Sequence, residues 1–358
     1  KKVENPILLQ TTFDNLSLKF IHKFIPEFFA IGGEASGNIN IKGLPSQTQF
    51  SFNVDIKDGF FDKIKLGRVK GKGKYDGKKF FLESVETQND QEKITAQGSL
   101  PFDLNISSKR FGQFFPKDSM DFHVEAHLRS LPFLSPYIEN LDSVRGDIDI
   151  TLSLTGPVES IQRSGHIAVK NGNVYTLLLG DPITKVEGDA YMNHNQMIIQ
   201  SMKSLAYHPN GKYPKLKTQN TIISGSMDFT DFFKPRYDLT VKGKEASFQT
   251  LFLDIEAQSN LDLSIVGKDS VTISGIIEVL DGAVFYEFTT EGVGETLEDE
   301  TGTVMAYQLS VPIKGTALFQ NSQVDAIVTG ELSLSQIGNQ EMDFSGEIFV
   351  EDGSVFSY

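Results

Sequence analysis

Ser164-Gly165-His166-Ile167-Ala168-Val169-Lys170-Asn171-Gly172-Asn173-Val174-Tyr175 decides how this chain is read, because the same phrase returns elsewhere. Ser274 to Phe285 and Ser345 to Phe356 repeat it, with Asp281-Gly282 and Asp352-Gly353 in place of Asn171-Gly172, and Ser51 to Phe61 is a weaker copy around Asp58-Gly59. Apolar and polar residues alternate on both sides of an Asn-Gly or Asp-Gly pair, the short-range signature of a β-hairpin closed by a type I′ turn. Counting outward from the turn predicts that Val169 lies across from Val174, with Ile167 on the same face. The same count groups Val54, Ile56 and Phe61, then Ile277, Val279 and Val284, then Ile348, Val350 and Val355. Tyr175, Phe285 and Phe356 are expected on the opposite face.

An alternating strand precedes each copy. Gly146 to Pro157 places Ile148, Ile150, Leu152 and Leu154 on one side and ends in a Gly-Pro turn. Its counterparts carry Ile39 and Ile41, then Leu261, Leu263 and Ile265, then Leu332 and Leu334. The turn glycines of successive copies stand 113, 110 and 71 residues apart, too irregular for a solenoid of fixed short period. Loose repeats are therefore expected at about 14–105, 120–200, 220–290 and 303–358 within one continuous, twisted antiparallel β structure. Abundant glycine (31 residues) and scarce helical periodicity favour many strands joined by short turns.

A net charge of −14 argues against nucleic acid, whose phosphates need a basic surface, and against an anionic membrane face. The local exception is Lys63 to Lys74, where Arg68, Lys70, Lys72 and Lys74 share a strand face, a pattern that guards an edge or a solvent face against aggregation. There is no cysteine, hence no disulfide framework. No apolar run approaches the roughly 20 residues of a membrane span, and the first residues are not a signal peptide. The chain reads as a segment of a longer protein whose anchor lies outside it. With 28 phenylalanines and no tryptophan, its aromatic surface is almost without hydrogen-bonding handles, which suits a purely apolar contact. Asp14 to Phe29 and Leu128 to Leu141 have spacing that predicts short helices, the second interrupted by Pro132 and Pro136.

The order over 128–175, a leucine- and proline-bearing segment, then Gly-x-Ile-x-Ile-x-Leu-x-Leu-x-Gly-Pro, then Ser-Gly-x-Ile-x-Val-x-Asn-Gly-x-Val, resembles the repeat of the TamB/AsmA-like family. It continues at 251–288 and 326–358 and faintly at 14–61, on motifs that are mostly glycine and alternating aliphatics. The resemblance implies a sheet curled into a half-open hydrophobic trough, a β-taco, in a periplasmic protein anchored in the inner membrane by a segment absent here. It implies phospholipid carriage between inner and outer membranes and a part in outer-membrane protein assembly through a β-barrel partner. The chain carries no anchor helix and no recognisable segment for that partner. In this reading the aliphatic stripe lines the trough, no residue is catalytic, and no cofactor or metal is needed. The alternative from pattern alone is an ordinary dry sandwich core.

Enzyme signatures are weak. His123, Glu125 and His127 share a strand face, but no further ligand can be assigned, and a solvated face is the simpler reading. Glu291, Glu295, Glu298, Asp299 and Glu300 lack the spacing of a calcium loop and read as a hairpin loop. Tyr207 to Pro214 reads as a long turn. Nucleophile-elbow, phosphate-loop and dinucleotide patterns are missing. Two competing classes stay open: a structural or adhesion-type β-solenoid or sandwich that binds protein or glycan through its outer face, and a glycan-processing β-helix. The latter needs acidic rungs beyond Asp147 and Asp149.

Overall fold

The computed structural model describes residues 5–19, 31–61, 64–88, 92–131, 140–209, 213, 216–231, 234–251, 254–285, 304–338, 340 and 342–356. The chain is all-β, an open sheet of 19 strands, with 3-10 turns at 18–19, Pro45–Gln47 and Val158–Ser160 the only helical pieces among the described residues. It divides into two compact units.

The first unit holds 1–129, 147–167 and 191–194. Its strands are β1 (Ile7–Ser17), β2 (Ile31–Gly43), β3 (Gln49–Phe61), β4 (Ile64–Tyr75), β5 (Phe80–Gln88), β6 (Lys93–Leu100), β7 (Ser119–Ser130) and parts of β8 (Leu141–Pro157) and β9 (Gln162–Thr176). From β1 to β7 each strand pairs antiparallel with the next. Partners directly across a ladder share a face, so one apolar row runs Ile39, Phe52, Gly73, Leu82, Gly98, Phe122 and another runs Gly37, Val54, Gly71, Val85, Ala96, Val124. Large side chains alternate with glycine or alanine along these rows, and Phe52 fills the space over Gly73, where an added Cβ would lie 2.8 Å from its ring.

The second unit holds 130–146, 168–190 and 195–358. Its strands are β10 (Ile183–Asn193, except its last residues), β11 (Gln196–Leu205), β12 (Thr221–Asp228), β13 (Arg236–Gln249), β14 (Ile255–Gly267), β15 (Ser270–Phe285), β16 (Val304–Gln320), β17 (Val324–Ile337), β18 (Asp343–Val350) and β19 (Val355–Phe356). Pairing is antiparallel except between β15 and β16, which run parallel from Ser270↔Val304 to Phe285↔Gln320. Residues 286–303, whose acidic residues were expected to form a hairpin loop, lie outside the described residues.

The four Asx-Gly pairs do not close hairpins. Asn171-Gly172 sits inside the continuous strand β9, Asp281-Gly282 inside β15 and Asp58-Gly59 inside β3. Opposite β14, Leu280 is skipped between Val279↔Ser259 and Asp281↔Gln258, and Ile56↔Val69 passes to Gly59↔Gly67 with one residue extra in β3. These are β-bulges, which have the same appetite for φ > 0 as a type I′ turn: Asp58 and Asn171 both take φ 51°. One extra residue also reverses the side-chain parity, so Val279 and Val284 share a face although five residues apart. The aliphatic grouping expected of a hairpin thus persists in a single strand, but Val169 and Val174 are neighbours along β9 and not across a turn.

At Asp352-Gly353 the insertion has two residues, since Val350 pairs with Val328 and Phe356 with Val324. Parity is restored, and the expectation fails for the last pair: Phe356 takes the apolar face, while Val355, opposite Asp325, points the other way.

Of the described parts of the two expected helices only 18–19 are helical, as a 3-10 turn, and most of the rest is strand. Asp14–Ser17 belongs to β1 and pairs with β2 around a bulge, and Leu128–Ser130 ends β7 while Leu141 begins β8. Ladder hydrogen bonds to a neighbour outweigh weak helical spacing there. Residues 20–30 and 132–139 lie outside the described residues.

Candidate functional site

Each unit has one face that is almost wholly apolar. In the second unit the rows run Val241, Leu263, Gly275, Leu309, Leu334, Phe344 and Phe248, Ala257, Gly282, Ala317, Val328, Val350. What is buried there is small: Ala246, Ala257, Ala317 and Ala326 are sealed. The aliphatics are not. Of the predicted lining residues with described side chains, only Ile148 and Val169 are buried. Ile39, Ile41, Val54, Ile56, Ile150, Leu152, Leu154, Ile167, Val174, Leu261, Leu263, Ile265, Ile277, Val279, Val284, Leu332 and Leu334 are half-buried. Ile348, Val350 and Val355 are about half exposed, and the side chain of Phe61 lies outside the described residues. A dry sandwich would bury these side chains under a second layer, and none covers them among the described residues.

One end of the apolar face in the first unit is closed by aromatics and a tied loop. Phe50 stacks on Tyr75 (5.3 Å between centroids), Phe52 on Phe80 (5.8 Å), and Phe102 meets Phe114 edge-on (4.8 Å). Tyr75 is buried, and its hydroxyl accepts from the Leu104 N–H (3.1 Å), so burial holds the phenol above its ordinary range. Asn105 anchors the loop by donating to the Gly77 carbonyl (3.1 Å) and accepting from the Thr48 N–H (3.0 Å).

The opposite face is polar and ion-paired. The lysine-rich strand β4 is paired on both sides, so it is no edge. Arg68 forks onto Asp55 (2.9 and 2.5 Å), and Lys72 and Lys74 both reach Glu83 (3.0 and 3.3 Å). The Arg68 hydrogen bond holds the Asp55 carboxyl below its ordinary range, and Lys72 and Lys74 do the same for Glu83. Lowered carboxylates contribute stability above their unfolded-state titration and lose it as pH falls through the folded one. Acid unfolding should therefore begin earlier in Arg68→Ala than in wild type, a small difference that salt erases; equal acid midpoints at low salt would contradict it.

His123 bonds Asp121 (2.8 Å) and Ser153 (2.8 Å), while His127 bonds Asp149 (2.7 Å). Asp147, the other acid of the proposed rung, pairs with Arg129. Among the described residues no three His, Cys, Asp or Glu side chains gather as metal ligands. Of the rings expected on this face, Tyr175 lies half-buried beneath the Arg145 guanidinium (5.0 Å), and Phe285 is 39% exposed.

Protein-family models, curated proteins and solved structures all give no match. The sequence reading left out several members of the apolar faces: Phe50, Phe52, Phe80 and Phe122 in the first unit, Val241 and Leu309 in the second. Phe50 and Phe52 share β3 with Asp58-Gly59 but lie before the aliphatics counted from it, and the other four stand on alternating strands without an Asx-Gly pair to mark them.

Proposed function

We propose that this chain is a non-enzymatic segment of a cell-envelope protein that holds phospholipid acyl chains along its apolar faces and passes them between inner and outer membranes. The observation that carries this reading is the half-buried aliphatic face, many strands wide in each unit. Apolar patches of this extent on a folded protein call for a partner surface. Each methylene removed from water contributes about 0.8 kcal/mol, so an acyl chain needs no specific pocket, and a trough open along one side leaves the head group in solvent. The family resemblance implies the two membranes, and the open sheet supports the reading. Among the described residues no helix is long and apolar enough to cross a membrane. Native mass spectrometry of the gently purified chain, followed by organic extraction, should find bound phospholipid. A folded, monomeric chain that is lipid-free after exposure to phospholipid vesicles would overturn the reading.

A protein partner at the end of the sheet is the second reading, favoured by β18. That strand pairs with β17 and is exposed throughout, with Phe344 and Ile348 on one face and Phe349 on the other. A strand from an outer-membrane β-barrel protein adding there would slow hydrogen exchange along β18; unchanged exchange in the presence of such a barrel would remove the idea.

A further inference from the structure

The polar face of the second unit contains one imidazole that is almost fully buried. His208, in the segment between β11 and β12, is 2% exposed, and its backbone N–H donates to Ser247 of β13 (3.0 Å). Its Nδ1 lies 2.5 Å from Asp181 Oδ2, in the segment between β9 and β10, and its Nε2 lies 3.5 Å from Glu256 Oε1 of β14. Nε2 makes no hydrogen bond, and neither does the buried hydroxyl of Tyr213 nearby. Burial, with Asp281 and Glu256 alongside, pushes that phenol up to about 12, so it faces the cluster as a neutral group. Two backbone contacts complete the seam, with Ser247 N–H donating to Ala206 (3.1 Å) and Gly180 N–H donating to Gln249 (2.9 Å).

A neutral imidazole donating from Nδ1 to Asp181 would turn the Nε2 lone pair toward the Glu256 carboxylate, two acceptors facing each other in a desolvated place. A second proton on the ring converts that conflict into an attraction. We propose that His208 is an imidazolium bridging Asp181 and Glu256, and that this bridge is a proton-dependent latch holding residues 177–182 and 206–209 against the ends of β13 and β14. The titratable groups at the ring are Asp181 and Glu256, and Glu256 also bears on the Tyr213 phenol, as does Asp281. Loss of the ring proton restores the two facing acceptors, so closure is lost as pH rises and the proton leaves.

The test is hydrogen exchange of the amides of Gly180 and His208 between pH 6 and 9, corrected for intrinsic rates, with ¹⁵N shifts of the His208 ring recorded alongside. Both ring nitrogens should be protonated at pH 6, and the protection factors should fall by roughly tenfold as Nε2 deprotonates. Glu256→Gln gives a neutral Nε2 a donor, so that variant should stay protected across the whole range. Should His208→Gln fail to fold, Glu256→Gln still decides the matter. Protection that does not change with pH in wild type, or an Nε2 without a proton at pH 6, would overturn the latch.

Discussion

Replacing Gly275 by valine should destabilise the sheet by at least about 3 kcal/mol, the upper range for a strained backbone position combined with a steric clash. Gly275 takes φ +132°, and a Cβ there would sit 2.2 Å from the Asp262 carbonyl on the neighbouring strand. Gly346, at the same place in the last repeat, has φ +134° and meets the Glu331 carbonyl at 2.2 Å. The Ser-Gly that opens each of the three full copies thus marks a close backbone approach, and a backbone carbonyl cannot move aside as a flexible side chain can. Gly67 is the control: at φ +69° with nothing within 4 Å, its change to alanine should cost only about 1–2 kcal/mol. Denaturant midpoints with unchanged m-values measure both. A Gly275→Val chain as stable as wild type would contradict the described β14–β15 approach.

Leu263→Asp should lower phospholipid retention more than about tenfold, while Ser264→Asp leaves it unchanged. Leu263 lies on the apolar face between Val241 and Gly275, and Ser264 faces away between Thr240 and Ser274. A carboxylate beside an acyl chain loses the contacts of several methylenes, each about 0.8 kcal/mol, and must also stay hydrated. Leu263 is only half-buried, so the charge keeps access to water and the fold survives. Equal loss in both variants would mean that lipid is held by something other than this face.

The strands were legible wherever period-two alternation was strict, as in β8, β14 and β17, because a half-buried sheet leaves that pattern in the sequence. The bulges were not. Asn171-Gly172 satisfies a turn and a bulge equally well, and the difference lies in whether the next segment returns on itself or continues along a neighbour, a non-local matter. The face assignment survived that error at Val284 because one inserted residue reverses parity as a hairpin does, and failed at Val355 because two do not. The parallel pairing of β15 with β16 has no local signature either. His208 was hidden for a related reason: its partners Asp181 and Glu256 come from distant segments, and within its own stretch it is one polar residue of a turn.

The most direct measurement places a photo-crosslinking residue at Leu263 or, in a second chain, at Ser264, and irradiates each with phospholipid vesicles before mass analysis. Capture of phospholipid from position 263 and none from 264 is the predicted result. Capture from both positions alike, or from neither while the chain remains folded, would contradict an acyl-chain path along the apolar face.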